Sequence, residues 1–140
     1  MIERDAPAVS RGIRRVLVVD DSRAQRRVLA SYLRKWGYAI EEAESGADAL
    51  EICRRTPPDL VMSDWMMPGM SGPEFCRAIR GMAFDSYLYF ILLTSKSGKE
   101  DIALGLDAGA DDFLTKPVNA AELRARIGAG ARIIEMEREL

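Results

Sequence analysis

The sequence predicts a doubly wound α/β domain, five parallel strands sandwiched between five helices in three layers. Short apolar runs alternate five times with longer stretches of helical periodicity, the pattern of βα units joined by right-handed crossovers. The strand-like runs are apolar at successive positions rather than at every second one, as in strands buried on both faces. The length of 140 residues suits one domain and is too short for two.

Each element has its own local reason. Arg15-Val16-Leu17-Val18-Val19 is continuous and β-branched, and reads as the first strand. Ser22 followed by Gln25 resembles a capping box, and Val28, Leu29, Tyr32, Leu33 and Trp36 recur at helical spacing until Gly37 stops the helix. Tyr38 to Glu42 is a second strand, less apolar and therefore placed at an edge. Ser45 caps a helix through Ala49, Leu50 and Cys53, which ends before Pro57-Pro58. Leu60-Val61-Met62 is the third strand. Pro73 suits a helical first turn, with Phe75, Ile79 and Met82 as the apolar stripe. Tyr87 to Leu93 is the fourth strand, and Ile102, Leu104 and Leu106 belong to a helix closed by Gly109. Asp112-Phe113-Leu114 is a short fifth strand, and Asn119 caps a last helix.

Composition excludes whole classes of function. Charged residues are 30% and apolar residues 48%, so the chain can fold around a core. Twenty Lys and Arg against 22 Asp and Glu leave a net charge of −2, which argues against binding nucleic acid or a membrane surface. There is no histidine, so Ser-His-Asp and Cys-His catalysis and imidazole-bound zinc are excluded. Cys53 and Cys76 are too far apart for a CxxC site and read as buried free thiols in a reducing compartment. No apolar run reaches the ~18 residues of a membrane span, and Met1 to Gly12 lacks a signal-peptide core, so a cytoplasmic protein is expected.

Ligands of doubly wound sheets bind beyond the carboxyl ends of the strands. Here the first strand ends in Asp20-Asp21, the third in Asp64, the fourth in Thr94 and the fifth in Lys116-Pro117. Singly, each has a plain structural reading: an Asp after a strand is usually a turn or cap residue, and a Lys a solvated cation. Together they bring three carboxylates, a hydroxyl and an ammonium to one rim. Clustered carboxylates repel, and a hard divalent ion relieves the repulsion; oxygen-only ligands point to magnesium, with Mn2+ as an alternative. A carboxylate can also serve as a phosphoryl acceptor.

The stretches VLVVDD, SDWMMPGMSG, ILLTS and DDFLTKP, in this order, resemble the receiver domain of bacterial two-component response regulators, over roughly Arg14 to Ile127. The resemblance implies a flavodoxin-like sheet of strand order 2-1-3-4-5, with a leader over 1–13, the receiver domain over 14–128 and a helical extension over 129–140. It implies that Asp64 is the phosphoacceptor, and that Mg2+ is held by Asp21 and Asp64, by Asp20 through water, and by the backbone carbonyl of Met66. Lys116, Thr94 and Ser95 would bind the phosphoryl group, and Thr94 and Phe113 would form the switch. A cis bond before Pro117 would help to aim Lys116. The family often has Tyr at the switch position, so Phe113 lacks its hydroxyl. Met66 and Lys96 flank the site and are expected to shape the approach of water.

As partners the resemblance implies a sensor histidine kinase or a histidine phosphotransfer domain. Arg23, Arg26, Arg27, Arg34 and Lys35 make the first helix basic, either as a solvated face or as the face that docks this partner. Ala129, Ile133, Met136 and Leu140 repeat at 4, 3 and 4, a coiled-coil spacing. Gly128 and Gly130 weaken the helix beside it, each by about 1 kcal/mol relative to Ala, so a hinge is expected there. RIGAGARIIEMEREL is similar to linkers that join receivers to diguanylate cyclase or other output domains, so the chain is expected to be the regulatory part of a longer regulator; a homodimer through the last helices and a free-standing receiver are the other readings. The chemistry expected is that of a signalling domain with self-catalysed phosphorylation and dephosphorylation, not of an enzyme. A phosphatase passing through an aspartyl-phosphate is the competing class, but a haloacid-dehalogenase-type DxD pair is missing, since Asp20 and Asp21 are adjacent.

Overall fold

A computed structural model describes residues 12–95 and 99–139, so Lys96, Leu140 and most of the leader lie outside the described residues. The elements in chain order are β1 (Arg15–Val19), α1 (Arg23–Lys35), β2 (Ala39–Ala43), α2 (Gly46–Arg55), β3 (Leu60–Asp64), α3 (Gly72–Arg80), β4 (Tyr89–Thr94), α4 (Lys99–Ala108), β5 (Asp112–Thr115) and α5 (Ala120–Glu139). All strand pairs are parallel, in the order β2-β1-β3-β4-β5. The fold is therefore the flavodoxin-like α/β architecture that the sequence predicts, with β2 at an edge.

Both faces of the sheet are buried, which explains the continuous apolar strands. Val16, Val18, Leu60, Met62, Tyr89, Ile91 and Leu93 point to one core layer, shared with α1 and α5. Leu17, Val19, Val61, Phe90 and Leu92 point to the other, shared with α2 and α3. With a side-chain period of two, the inner strands β1, β3 and β4 need apolar residues at successive positions to feed both layers, whereas the edge strand β2 carries Glu41 and Glu42.

Ser22, Ser45 and Asn119 cap their helices as predicted, each accepting from the backbone N–H three residues on, with 2.9 Å between Asn119 and the N–H of Glu122; Ser71 caps α3 in the same way. Leu104 and Leu106 are about half exposed; the core-facing positions of α4 are Gly105 and Ala108. Trp65, directly after Asp64, is only 7% exposed and joins the layer of Phe75 and Phe90. The α5 helix runs unbroken through Gly128 and Gly130. Gly130 faces Tyr89, and a Cβ there would come within 2.9 Å of the ring, so close packing explains this glycine.

The second half of α5 also packs onto the sheet. Ala131 and Ile134 are buried in the α1/α5 layer, as is Ile13 before β1. Arg138 donates to Asp59 at 2.8 Å and to the carbonyl of Gly12 at 3.1 Å. Ile133 and Met136, from the predicted seam, are exposed.

Asp59 is the hub of this end, accepting from the backbone N–H of Arg14 (2.9 Å) and Arg15 (3.0 Å) as well as from Arg138. Burial is the largest single influence on its carboxyl and pushes it up, but Arg138 and the two N–H groups together hold it below the usual Asp range. Asp59→Ala is expected to cost about 2 kcal/mol, since it strands charge-assisted bonds. The sign of the pH dependence follows from the lowered value: the contribution is full above the ordinary Asp value of about 3.9 and is lost as pH falls through the folded value. Denaturant melts should show a constant gap between wild type and variant from about pH 5 to pH 8, closing below about pH 4.

Candidate functional site

The strand order reverses between β1 and β3, which is where ligands bind in open α/β sheets. Val19 pairs with Ser63, so the residues that follow, Asp20 and Asp64, leave the sheet side by side. On the other side of β3, Asp64 pairs with Leu93, and Thr94 with Thr115, which sets Thr94 and Lys116 on the same rim. The sheet thus gathers side chains up to 96 positions apart.

The geometry is tight. Carboxylate oxygens of Asp20, Asp21 and Asp64 lie within 4.8 Å of one another. The Nζ of Lys116 is 2.8 Å from Asp64 Oδ1 and 3.5 Å from Asp20 Oδ2. Asp64 Oδ1 also accepts from the N–H of Trp65 at 2.9 Å. Asp20 is fully buried and Asp21 exposed, so the cluster is anchored on one side and open on the other. Burial is the main influence that pushes the Asp20 carboxyl above its usual range, aided by the charge of Asp64 and opposed by the N–H of Ser22 and by Lys116. Arg26 steadies the acidic pair from α1, donating to the carbonyl of Asp20 at 2.8 Å and to Glu42 at 3.0 Å. Arg34 also pairs with Glu42, so part of the basic helix is already neutralised within the fold, while Arg23, Arg27 and Lys35 are exposed.

Thr94, Ser95, Met66 and Pro117 stand at the same ends of the strands. Thr94 is buried at the end of β4, and Ser95 beside it is exposed. The Lys116–Pro117 peptide is cis. Met66 sits on the loop after Asp64 with its side chain 63% exposed. Phe113 is half-buried, its ring beside Gly105 of α4: a Cβ on Gly105 would lie 2.5 Å from the ring and 2.9 Å from Leu92. Lys96 falls outside the described residues.

Two features escaped the reading of the sequence. Within the SDWMMPGMSG loop, Gly69 has the positive φ (+82°) expected of a turn glycine, but Gly72 is needed for a different reason. A Cβ on Gly72 would lie 2.4 Å from the backbone oxygen of Asp64 and 2.7 Å from Leu92. Its N–H donates to the carbonyl of Trp65 at 2.8 Å, closing the loop over the acidic residue. The second feature is Gln25, whose carboxamide oxygen accepts from Lys116 Nζ at 2.6 Å. Gln25 looked like the returning half of a capping box, but the N–H of Ser22 is taken by Asp20 Oδ1 at 2.9 Å. The partner of Gln25 is 91 residues away, which no local pattern reveals.

A groove of about 570 Å3 opens beside the cluster between α1 and the loop after β5, lined by Gln25, Val28, Leu29, Tyr32, Pro117 and Val118, among others. Val28 is 55% exposed there.

Comparison with known proteins agrees with this arrangement. The family model of the response regulator receiver domain matches residues 16–128. Response regulator MprA of Mycobacterium leprae is 44% identical over 115 residues, covering 82% of this chain and 50% of that protein. This chain thus spans about half the length of the curated relatives it matches. Among solved structures, a two-component system response regulator/GGDEF domain protein superposes with a TM-score of 0.81 at 32% identity, over 87% of this chain and 50% of that one. The co-crystal of the Saccharomyces cerevisiae histidine phosphotransfer protein Ypd1 with the receiver domain of Ssk1 gives a TM-score of 0.80 at 27% identity, over 89% of this chain and 93% of that one.

Proposed function

The chain belongs to the response regulator receiver domain family of two-component signalling, a signalling domain and not a catalytic enzyme, and from this premise we propose that Asp64 is its phosphoacceptor. The observation that carries the proposal is the ion pair of Asp64 with Lys116 inside the triad of carboxylates. A histidine donor lies outside these 140 residues, which hold no histidine, and a small acyl phosphate is the other donor. An Asp64 oxygen bonds to phosphorus as the phosphorus–nitrogen bond of the phosphohistidine breaks, and the imidazole leaves. Lys116 turns from the carboxylate to the phosphoryl oxygens, and the Thr94 hydroxyl donates to one of them, with exposed Ser95 leaving the approach open. In hydrolysis, a water oxygen bonds to phosphorus, the acyl phosphate bond breaks, and carboxylate and inorganic phosphate remain.

Oxygen-only donors from Asp20, Asp21 and Asp64 fit a hard divalent cation, and we assign them, with the Met66 carbonyl, to Mg2+ or Mn2+. When bound, such an ion neutralises charge on the transferring phosphoryl group. Phosphorylation then biases a two-state equilibrium: as Thr94 turns toward phosphate, Phe113 follows and the α4-β5-α5 face changes. Half-exposed Leu104 and Leu106 lie on that face. The partner, a sensor kinase or phosphotransfer domain in the cytoplasm, would lay a helix into the groove along α1, flanked by Arg23 and Arg27. That groove combines exposed apolar residues with direct access to Lys116. The segment over 129–140 we assign to joining or pairing of output domains, with diguanylate cyclase as one such output; no nucleic acid or membrane is a partner of this domain.

Incubation with acetyl phosphate and Mg2+, followed by intact mass, tests this reading. A stable adduct of about 80 Da, lost on adding EDTA from the start, is expected; rapid turnover of donor without an adduct would favour the phosphatase class. Chasing the adduct after removal of donor gives its lifetime. Met66 flanks the site, and Met66→Asn is expected to change that lifetime; an unchanged decay would remove Met66 from the site.

A further inference from the structure

We propose that Gln25 is a positioning residue for this phosphoryl chemistry, holding the Lys116 ammonium over Asp64 through its carboxamide oxygen. The inference rests on the reading of Asp64 as acceptor. An ammonium has three donors and accepts nothing, so the oxygen of Gln25 faces it. Its acceptors are Asp64 at 2.8 Å, Gln25 at 2.6 Å and Asp20 at 3.5 Å.

These three change differently as the reaction proceeds. Asp64 loses its negative charge when its oxygen becomes part of the acyl phosphate. Asp20 is the longest contact and belongs to the cation side of the cluster. Gln25 alone is neutral before and after transfer. It therefore holds the ammonium on the α1 side at the moment when the pull of Asp64 is lost. Lys is a flexible four-carbon stem with rotamer freedom to lose, and its side chain here is 21% exposed. With a second fixed acceptor, the charge waits where phosphoryl oxygens arrive instead of swinging into solvent.

The local fold leaves Gln25 available for this. Its N–H is bound to Ser22 Oγ at 3.3 Å, which fixes its place in the first turn of α1. The N–H of Ser22 goes to Asp20 rather than to the Gln25 side chain, which can therefore reach across the site. One turn of helix is thus tied to the acidic pair by its cap and to the lysine by its side chain.

The test uses the 140-residue chain and its Gln25→Met variant, which keeps the length and removes the acceptor. Phosphorylation by acetyl phosphate is timed by intact mass, and the mobility of the Lys116 Cε–H bonds is read by NMR relaxation in the unphosphorylated protein. The expected result is a maximal rate lowered about three- to tenfold, with donor and Mg2+ half-saturation unchanged within about twofold. Lys116 should become more mobile, and Gln25→Glu, which keeps an oxygen at the same reach, should restore its order. Equal rates in wild type and Gln25→Met would overturn the proposal, as would a slower rate with Lys116 mobility unchanged. A wild type that takes no phosphoryl group would instead overturn the assignment of Asp64.

Discussion

Asp64→Asn should acquire no 80 Da adduct under conditions that load the wild type completely, a fall of at least about two orders of magnitude in rate. The amide has the shape of the carboxylate but lacks its anionic oxygen, and the ion pair with Lys116 at 2.8 Å is lost with it. The neighbouring acids separate nucleophile from ligand. Asp20→Asn and Asp21→Asn retain Asp64, so they should still be labelled, but at Mg2+ concentrations raised about 10- to 100-fold. Adduct formation on Asp64→Asn at an undiminished rate would place the acceptor elsewhere. Loss of labelling in all three variants alike, even at high Mg2+, would reduce Asp64 to one metal ligand among three.

Gly72→Ala should be the most destabilising substitution in the loop after β3, at about 3 kcal/mol, with a melting temperature lowered by roughly 10 °C. The added methyl would sit 2.4 Å from the backbone oxygen of Asp64, which belongs to the central strand and cannot move away cheaply. Gly69→Ala is the control. It has φ +82° but nothing within 4 Å of an added Cβ, so it carries only the backbone penalty of about 1 kcal/mol. The two glycines, three residues apart, thus separate conformational strain from steric contact. Thermal melts of both variants decide the matter; a Gly72→Ala protein as stable as Gly69→Ala would refute the close approach. Because the methyl presses on the proposed acceptor residue, Gly72→Ala should also slow labelling of Asp64.

The inner strands β1, β3 and β4 were legible because each feeds two core layers, and double burial writes itself as an apolar run. The candidate site was legible because its residues stand at or just beyond strand ends: Asp20 follows Val19, Asp64 and Thr94 close β3 and β4, and Lys116 follows β5. The structure went beyond the sequence wherever a residue answers to something distant. Gln25 has the spacing of a cap partner, and only the fold brings Lys116 to it. Trp65 follows Asp64, and it is the loop closed by Gly72 that turns its ring into the layer of Phe75. Leu104 and Leu106 are apolar within a helical stretch, but the sheet side of α4 is the narrow seat that Gly105 leaves for Phe113. Gly130 read as a weakness in a helix, whereas the Tyr89 ring needs the space.

The two cysteines have a practical consequence. Cys53 and Cys76 are buried, unpaired and pushed up by burial to about 11. At neutral pH only about one thiol in ten thousand is then ionised, and even that fraction is shielded from reagents. These are the only cysteines in the chain, so its surface offers no reactive sulfur of its own. A cysteine introduced at Met136, which is 66% exposed on α5, would be the sole target for a thiol-directed dye. The protein is thus ready for single-site labelling without removal of its native thiols.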